Sequence, residues 1–348
     1  MNKVYVSDSP HVRGARTTKG IMLDVCIALL PACIMGCVYF GFKALLVLAL
    51  SCVGAVGSEI VYNLIARKNI KEILRNFDFT SLVSGMLLGM CLSSNVPWYV
   101  PIISSIFMIV VVKMLFGGTG KNIVNPAITG RVFAFIAFQS VMISGWAVPN
   151  VGAIMSGSVE VTSGATPLTV MLSDGVDKMG ISSLDLLLGS GVTGCIGETC
   201  KLALIVGGIY LICRKVIGWQ WPVIYIGVTG LMSVALNGFN FGYFLPSILS
   251  GGLFLGAIFM ATDYVTSPFT DKGRYVYYIA LGIVTALLRK YTRIEVVSFA
   301  ILLMNLFVPL INAHIRPRIF GAPTMLDKIK AQITKIKSKK QADKEVQQ

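Results

Sequence analysis

The chain has 348 residues, 55% of them hydrophobic and only 13% charged, about half the charged share of an ordinary soluble domain. With a mean hydropathy of +0.76, this composition excludes a soluble globular protein and points to an integral membrane protein with many spans. Lys and Arg number 30 against 16 Asp and Glu, but the excess lies in short loops and the tail, where it sets topology. No basic stretch alternates with exposed aromatics, so nucleic acid is not an expected partner.

The first twenty residues are polar and basic, and the first apolar run is full length for a span, so no cleavable signal peptide is expected. Apolar runs predict spans at 21–40, 43–66, 79–95, 99–116 and 129–148, then at 186–213, 220–237, 243–262, 276–289 and 294–313. The run at 186–213 is long enough to include a broken or re-entrant piece. The expected fold is an all-α integral membrane protein of about ten transmembrane helices in two five-helix halves. Its parts are an N-terminal segment (1–20), a first membrane half (21–148), a polar loop (149–185), a second membrane half (186–313) and a basic tail (314–348).

Charge orients the spans. Lys3, Arg13, Arg16 and Lys19 precede span one; Arg67, Lys68, Lys71 and Arg75 follow span two; Lys121 and Arg131 follow span four. Arg214 and Lys215, Lys272 and Arg274, then Arg316 and Arg318 follow spans six, eight and ten. All fall on one side, the expected cytoplasm, which puts both termini inside and the 149–185 loop outside. Arg289, Lys290 and Arg293 fall on the other side and are the exception. Two faint internal echoes suggest duplicated halves: Asn125-Pro126 with Ser267-Pro268, and Phe77-Asp78-Phe79 with Phe239-Asn240-Phe241. They imply different offsets.

Gly117-Gly118-Thr119-Gly120-Lys121-Asn122 superficially suggests a phosphate loop. The first Gly of such a motif would stand at position 115, which is Leu, and Asn122 replaces the required Ser or Thr. Nucleotide hydrolysis is therefore excluded. Two readings stand: a tight cytoplasmic turn, or a Gly-rich turn lining a flat ring system.

Acids at or inside the apolar runs are Asp24, Glu59, Asp185, Glu198 and Asp263. A carboxylate in the membrane is costly and usually serves ions, protons or a cofactor. Glu198 is the chief candidate for ion handling, because the Gly-rich run from Gly191 to Thr199 can break a helix and expose backbone groups. Pairing with Lys201 is the structural alternative. Asp263 is a second ion-pathway candidate, at a span end. Cys33 and Cys37 share a helix face but suit apolar packing better than metal binding, and a disulfide between Cys195 and Cys200 is left open. His11 and His314 have no partner residues in sequence for a metal or haem, so no metal site is expected and no catalytic residue is assigned.

The polar loop holds Ser163-Gly164-Ala165-Thr166-Pro167. Thr166 offers a hydroxyl beside small residues that leave the backbone approachable, and Pro167 ends any preceding helix. The tetrapeptide resembles the Ser/Thr-Gly-Ala-Thr motif on which a transferase attaches FMN through a phosphoester to the last Thr.

Other motifs carry a wider resemblance. Ser9-Pro10-His11, Thr17-Thr18, Ile21–Val25 and Ala28–Ala32, then Gly117–Asn122 with Asn125-Pro126-Ala127, Gly197-Glu198-Thr199, Ala261–Pro268 and Lys272-Gly273-Arg274 are similar in order and spacing to the RnfD family of the Rnf ion-translocating oxidoreductase complex. The related membrane component of the sodium-pumping NADH:quinone reductase is similar through the same core. The resemblance covers Ser9 to about Arg318. It implies covalent FMN on Thr166, with Ser163, Gly164 and Ala165 completing the recognition motif, and a second, non-covalent flavin such as riboflavin in the membrane part. It also implies a complex in a prokaryotic plasma membrane that passes electrons between ferredoxin and NAD and couples them to Na⁺ or H⁺ transport. The implied partners are an outward-facing FMN subunit, an NAD-binding cytoplasmic subunit and a flavin transferase. One departure is Glu160, where the family motif has Asp. The Lys-rich tail reads either as an amphipathic helix on an anionic membrane surface or as a solvated segment. The rival to the family reading is a stand-alone ten-helix secondary transporter.

Overall fold

The structure, a computed structural model, describes residues 16–66, 69–144, 146–149, 166–176, 180–189, 191–292 and 295–316. These residues are helical and irregular, with no strand among them. The N-terminal fifteen residues, Ser163 to Ala165, Glu160 and the Lys-rich tail lie outside the described residues.

Helix α1 (Thr18–Ile65) starts where the Thr17 hydroxyl accepts the Gly20 N–H at 3.2 Å. Its 48 residues would extend about 72 Å as one rod, more than twice a hydrocarbon core. Gly41 resolves the excess: at φ 68°, ψ −156° it breaks α1 into two pieces of span length. Only Gly adopts that geometry without strain. The break matches the expected boundary between spans one and two.

After α2 (Ile70–Asn76) come α3 (Thr80–Met90) and α4 (Tyr99–Ile106), which continues as a π-helix over Phe107–Met114. Asn125 then caps α5 (Pro126–Ala137), its side chain accepting the N–H groups of Ala127 and Ile128 at 3.0 and 3.4 Å, with Pro126 in the first turn. This arrangement satisfies both ends of the helix-start rule. Short helices α6 (Gln139–Ser144), α7 (Pro167–Asp174) and α8 (Ser183–Leu188) follow. The chain is irregular to Cys200, then forms α9 (Lys201–Cys213) and α10 (Gln220–Leu236). Next come α11 (Phe244–Leu249) and α12 (Leu253–Leu255), which runs into a π-helical turn at Gly256–Met260. Helices α13 (Asp271–Thr292) and α14 (Val297–His314) complete the described chain.

Two helices are long and apolar enough to cross a membrane, Thr18–Ile65 and Val297–His314, and the pair Phe241–Leu249 with Leu253–Met260, bent by 68°, is a third of matching composition. Several other predicted spans are apolar helices of 10–17 residues. Length and composition thus give two or three spans among the described residues, against about ten in the sequence reading. The reason is interruption. Span three stops at Met90, five residues early, and the expected 186–213 span holds an irregular stretch before α9.

The interrupted segments support one another. Gly197 N–H donates to the Met90 carbonyl at 2.8 Å, and Ile196 N–H to Leu92 at 3.0 Å. Asn125 Nδ2 donates to Met260 at 3.2 Å, and the Tyr278 hydroxyl to Ala261 at 2.9 Å. Backbone groups freed by broken helices are thereby satisfied inside the protein, as a membrane interior requires. The second sequence echo has a local counterpart. Asp78 and Asn240 each accept the N–H two residues on, at 3.1 and 2.9 Å, while the positive φ falls after the acid at Phe79 and before the amide at Phe239.

Candidate functional site

Thr166 is the N-cap of α7, with φ −69° and ψ 149°. Its hydroxyl accepts the Thr169 N–H at 3.3 Å and lies 2.7 Å from the Thr169 hydroxyl. Pro167 follows in the first turn, where its missing N–H costs nothing. The side chain is half-buried and opens on a cavity of about 850 Å³, part of it continuous with solvent. The cavity has an apolar side formed by Val132, Phe135, Met142 and Phe299. Its polar side is formed by Arg131, Glu198, Lys201 and Glu295, with Gly251 between. That mixture, an apolar enclosure with a few convergent polar groups, is typical of a cofactor site.

Each polar side chain is placed by an interrupted segment. Arg131, one turn into α5, donates to Ser298 at the start of α14 at 3.0 Å. Glu198 sits in the irregular stretch before α9. One of its oxygens accepts the Cys195 N–H at 2.8 Å, and the other, Oε2, is buried with no hydrogen-bond partner among the described residues. Gly194 makes room, since a Cβ there would stand 2.5 Å from the Glu198 carboxylate. Lys201 opens α9, is fully buried, and among the described residues donates only to the Thr199 carbonyl at 3.5 Å. It forms no ion pair with Glu198 within 4.0 Å, so the simple pairing considered from sequence is not what the fold makes. Cys195 and Cys200 are both buried free thiols, which closes the disulfide alternative.

Glu198 and Asp263, the two ion-pathway candidates, do not meet. Asp263 lines a second cavity of about 820 Å³, enclosed by Met22, Leu87, Lys113, Thr119, Gly120, Asn122, Asn125 and Tyr264 among others. There its carboxylate accepts from the Thr266 hydroxyl at 3.1 Å and the Val265 N–H at 3.4 Å, and burial pushes its pKa up against those hydrogen bonds. The Gly117–Asn122 stretch is a turn that also borders a cavity. Gly117, Gly118 and Gly120 take φ of 107°, 90° and 86°, which only Gly adopts readily, and Thr119, Gly120 and Asn122 face the second cavity.

Beside this turn lies a buried network. Lys113 Nζ donates to Glu59 at 3.0 Å, Thr80 at 2.5 Å and Ser81 at 2.9 Å. Asp78 accepts from Thr119 and Thr80, both at 2.6 Å. Desolvation raises the Asp78 pKa, but the hydrogen bonds from Thr119 and Thr80 together with the Lys113 charge outweigh it and hold the carboxyl below its ordinary value.

Sequence reasoning missed Arg131, Lys201 and Glu295 as parts of the Thr166 cavity. They are spread over α5, α9 and the start of α14, and a lone charge in an apolar run gives no sign of which cavity it lines. It also misjudged Arg289. That residue is buried, pairs with Glu295 at 3.3 Å and donates to the carbonyls of Ser247 and Ser250 at 2.8 and 3.2 Å. A cation consumed inside the protein is no vote on topology, which removes one of the three cations of the exceptional cluster. Lys290 is bound to Asn237 at 2.6 Å, and Arg293 lies outside the described residues.

Residues 5–321 match the model of the NQR2, RnfD, RnfE family. The chain is 38% identical over 329 residues to the RnfD component of the Na⁺-translocating ferredoxin:NAD⁺ oxidoreductase complex of Acetobacterium woodii, covering 94% of this chain and 98% of that one. It is 36% identical to the RnfD component of the proton-translocating ferredoxin:NAD⁺ oxidoreductase complex of Clostridium ljungdahlii, covering 92% and 97%. It is 33% identical to the RnfD component of the ion-translocating oxidoreductase complex of Stutzerimonas stutzeri, covering 86% and 91%. With the family model spanning nearly the whole chain and relatives matched end to end, this protein is a member of the NQR2, RnfD, RnfE family.

Proposed function

We propose that this chain is the flavin-bearing membrane subunit of a redox-driven, ion-translocating ferredoxin:NAD⁺ oxidoreductase complex. The observation that carries the reading is the placement of Thr166 in the lining of a cavity, open in part to solvent, with an apolar wall facing a charged one. FMN joined by phosphoester to Thr166 would have its ring system accepted by the wall of Phe135, Met142 and Phe299. Its polar edge would face Arg131, Glu198 and Lys201. Bound there, the flavin supplies one- and two-electron transfer. The chain's residues hold it, exclude water from one face, and present fixed charges to it.

The second cavity, bounded by the Thr119–Asn122 turn, Asn125 and Asp263, suits the non-covalent flavin that the family resemblance implies. Helix α5 connects the two sites: Asn125 and Pro126 face one cavity, Arg131 and Phe135 the other. From Asn125 to Phe135 the helix rises about 15 Å, so the two cofactors would be neighbours along one rigid element. The proposed topology has ten crossings, with both termini cytoplasmic and Thr166 external. The burial of Arg289 takes one cation out of the exceptional cluster, and the burial of Arg131 takes one out of the cytoplasmic set. An outward-facing FMN subunit and a cytoplasmic NAD-binding subunit are the proposed neighbours, and a flavin transferase matures the chain.

The test is direct. Protein from cells that possess the flavin transferase should give a band fluorescent under ultraviolet light on a denaturing gel, and Thr166→Ala should abolish it. A dark wild-type band would reject covalent flavin and return the stand-alone transporter.

A further inference from the structure

The charged wall of the Thr166 cavity does not balance. Arg289 and Glu295 neutralise each other at 3.3 Å. That leaves Arg131, Lys201 and Glu198, all more than nine-tenths buried, with a formal charge of +1. Neither cation has a carboxylate within 4.0 Å among the described residues: Arg131 bonds Ser298 and approaches the Cys195 sulfur at 3.8 Å, and Lys201 has one carbonyl. An unpaired buried charge is costly in an apolar setting. Here it borders a cavity of about 850 Å³, open in part to solvent, beside a carboxylate oxygen, Glu198 Oε2, that has no donor among the described residues. The arrangement disfavours a cation and asks for an anion that also carries an N–H.

We propose that Lys201, assisted by Arg131 and opposed by Glu198, sets the potential of the flavin on Thr166 by stabilising the negative charge of its reduced form. The inference rests on the flavin reading above. A flavin that takes up two electrons from the complex's electron carriers and one proton gains one negative charge. That is the charge the wall lacks. The phosphoester is a second anion, but it would be held at the Thr166 Oγ, at the positive end of α7. It is also present in both oxidation states, whereas the ring charge appears only on reduction. Lys201 is thus a positioning charge, and its effect is electrostatic.

The test is a spectroelectrochemical titration of the purified complex against pH, with the Thr166→Ala complex as the reference that lacks this flavin. Lys201→Met should bias the couple toward the oxidised form by tenfold or more, about 30 mV for two electrons. It should also change the pH dependence from one proton to two per electron pair. Glu198→Gln should bias it the other way, and Lys201→Arg should resemble wild type. In every variant a fluorescent denatured band reports that the flavin was attached. If the band is present and Lys201→Met leaves both potential and pH slope unchanged, Lys201 serves the phosphate or the fold and the proposal falls. Shifts of the same sign in Lys201→Met and Glu198→Gln also overturn it, since a general disturbance of packing has no reason to follow charge. A dark wild-type band defeats the flavin reading itself, a separate outcome.

Discussion

Gly197 donates its N–H to the carbonyl of Met90 at 2.8 Å, so the stretch that carries Glu198 is braced against the end of α3. The contact is close enough that side-chain size matters. A Cβ on residue 197 would stand 2.5 Å from the Met90 Cβ. Gly197→Ala must push two irregular segments apart, a form of overpacking that costs about 1–3 kcal/mol. The expected result is a lower midpoint of thermal unfolding in detergent and a displaced Glu198. An unchanged midpoint would show that the two segments yield freely.

Lys113 and Glu59 form a second brace, at 3.0 Å, between the π-helical end of α4 and the second piece of α1. Both side chains are largely out of water, at 3% and 13% exposure. Removing the cation alone strands a buried carboxylate, so Lys113→Met should cost about 3–5 kcal/mol. Adding Glu59→Gln should recover much of the loss. A double-mutant cycle on unfolding midpoints measures the coupling; additive losses would mean the pair is not energetically linked.

Asp78 gives a pH dependence with a defined sign. Its carboxyl is held below the ordinary value of about 3.9. Ionised Asp78 therefore adds stability above that value, and the contribution disappears as pH falls through its lower folded value. Wild-type protein should lose stability on acidification in that window, and Asp78→Asn should be less stable at neutral pH with a shallower acid limb. Parallel acid limbs would assign the loss to other carboxylates.

The proposed attachment at Thr166 would use a hydroxyl that is also the N-cap of α7. Thr166→Ser keeps both the hydroxyl and the cap, so it should retain the fluorescent band and lose little stability. Thr166→Val loses the band and also the cap bond to Thr169, a cost of about 1 kcal/mol. A fluorescent Thr166→Val protein would move the attachment to another residue.

Much was legible in the sequence because the membrane constrains it strongly. Apolar length predicted the broken α1, the interruption before α9 and the helical class, since a lipid interior permits few alternatives. Thr166, Glu198 and Asp263 stood out as a hydroxyl in a polar gap and as acids at or within apolar runs. Lys201 was visible too, but only as a presumed partner for Glu198. Only the tertiary structure decided which charges share a cavity. Arg131 and Lys201 come from two distant helices and Glu295 from the segment before α14, and they line the Thr166 cavity, while Asp263 goes elsewhere; pairing across a bundle is set by packing, which leaves no local pattern. The same holds for Arg289, which looked like a topological signal until its partner Glu295 was seen beside it. The sequence determined the solvent this chain lives in and its family. The fold decided where the unbalanced charge falls, because that sum is taken over space and not along the chain.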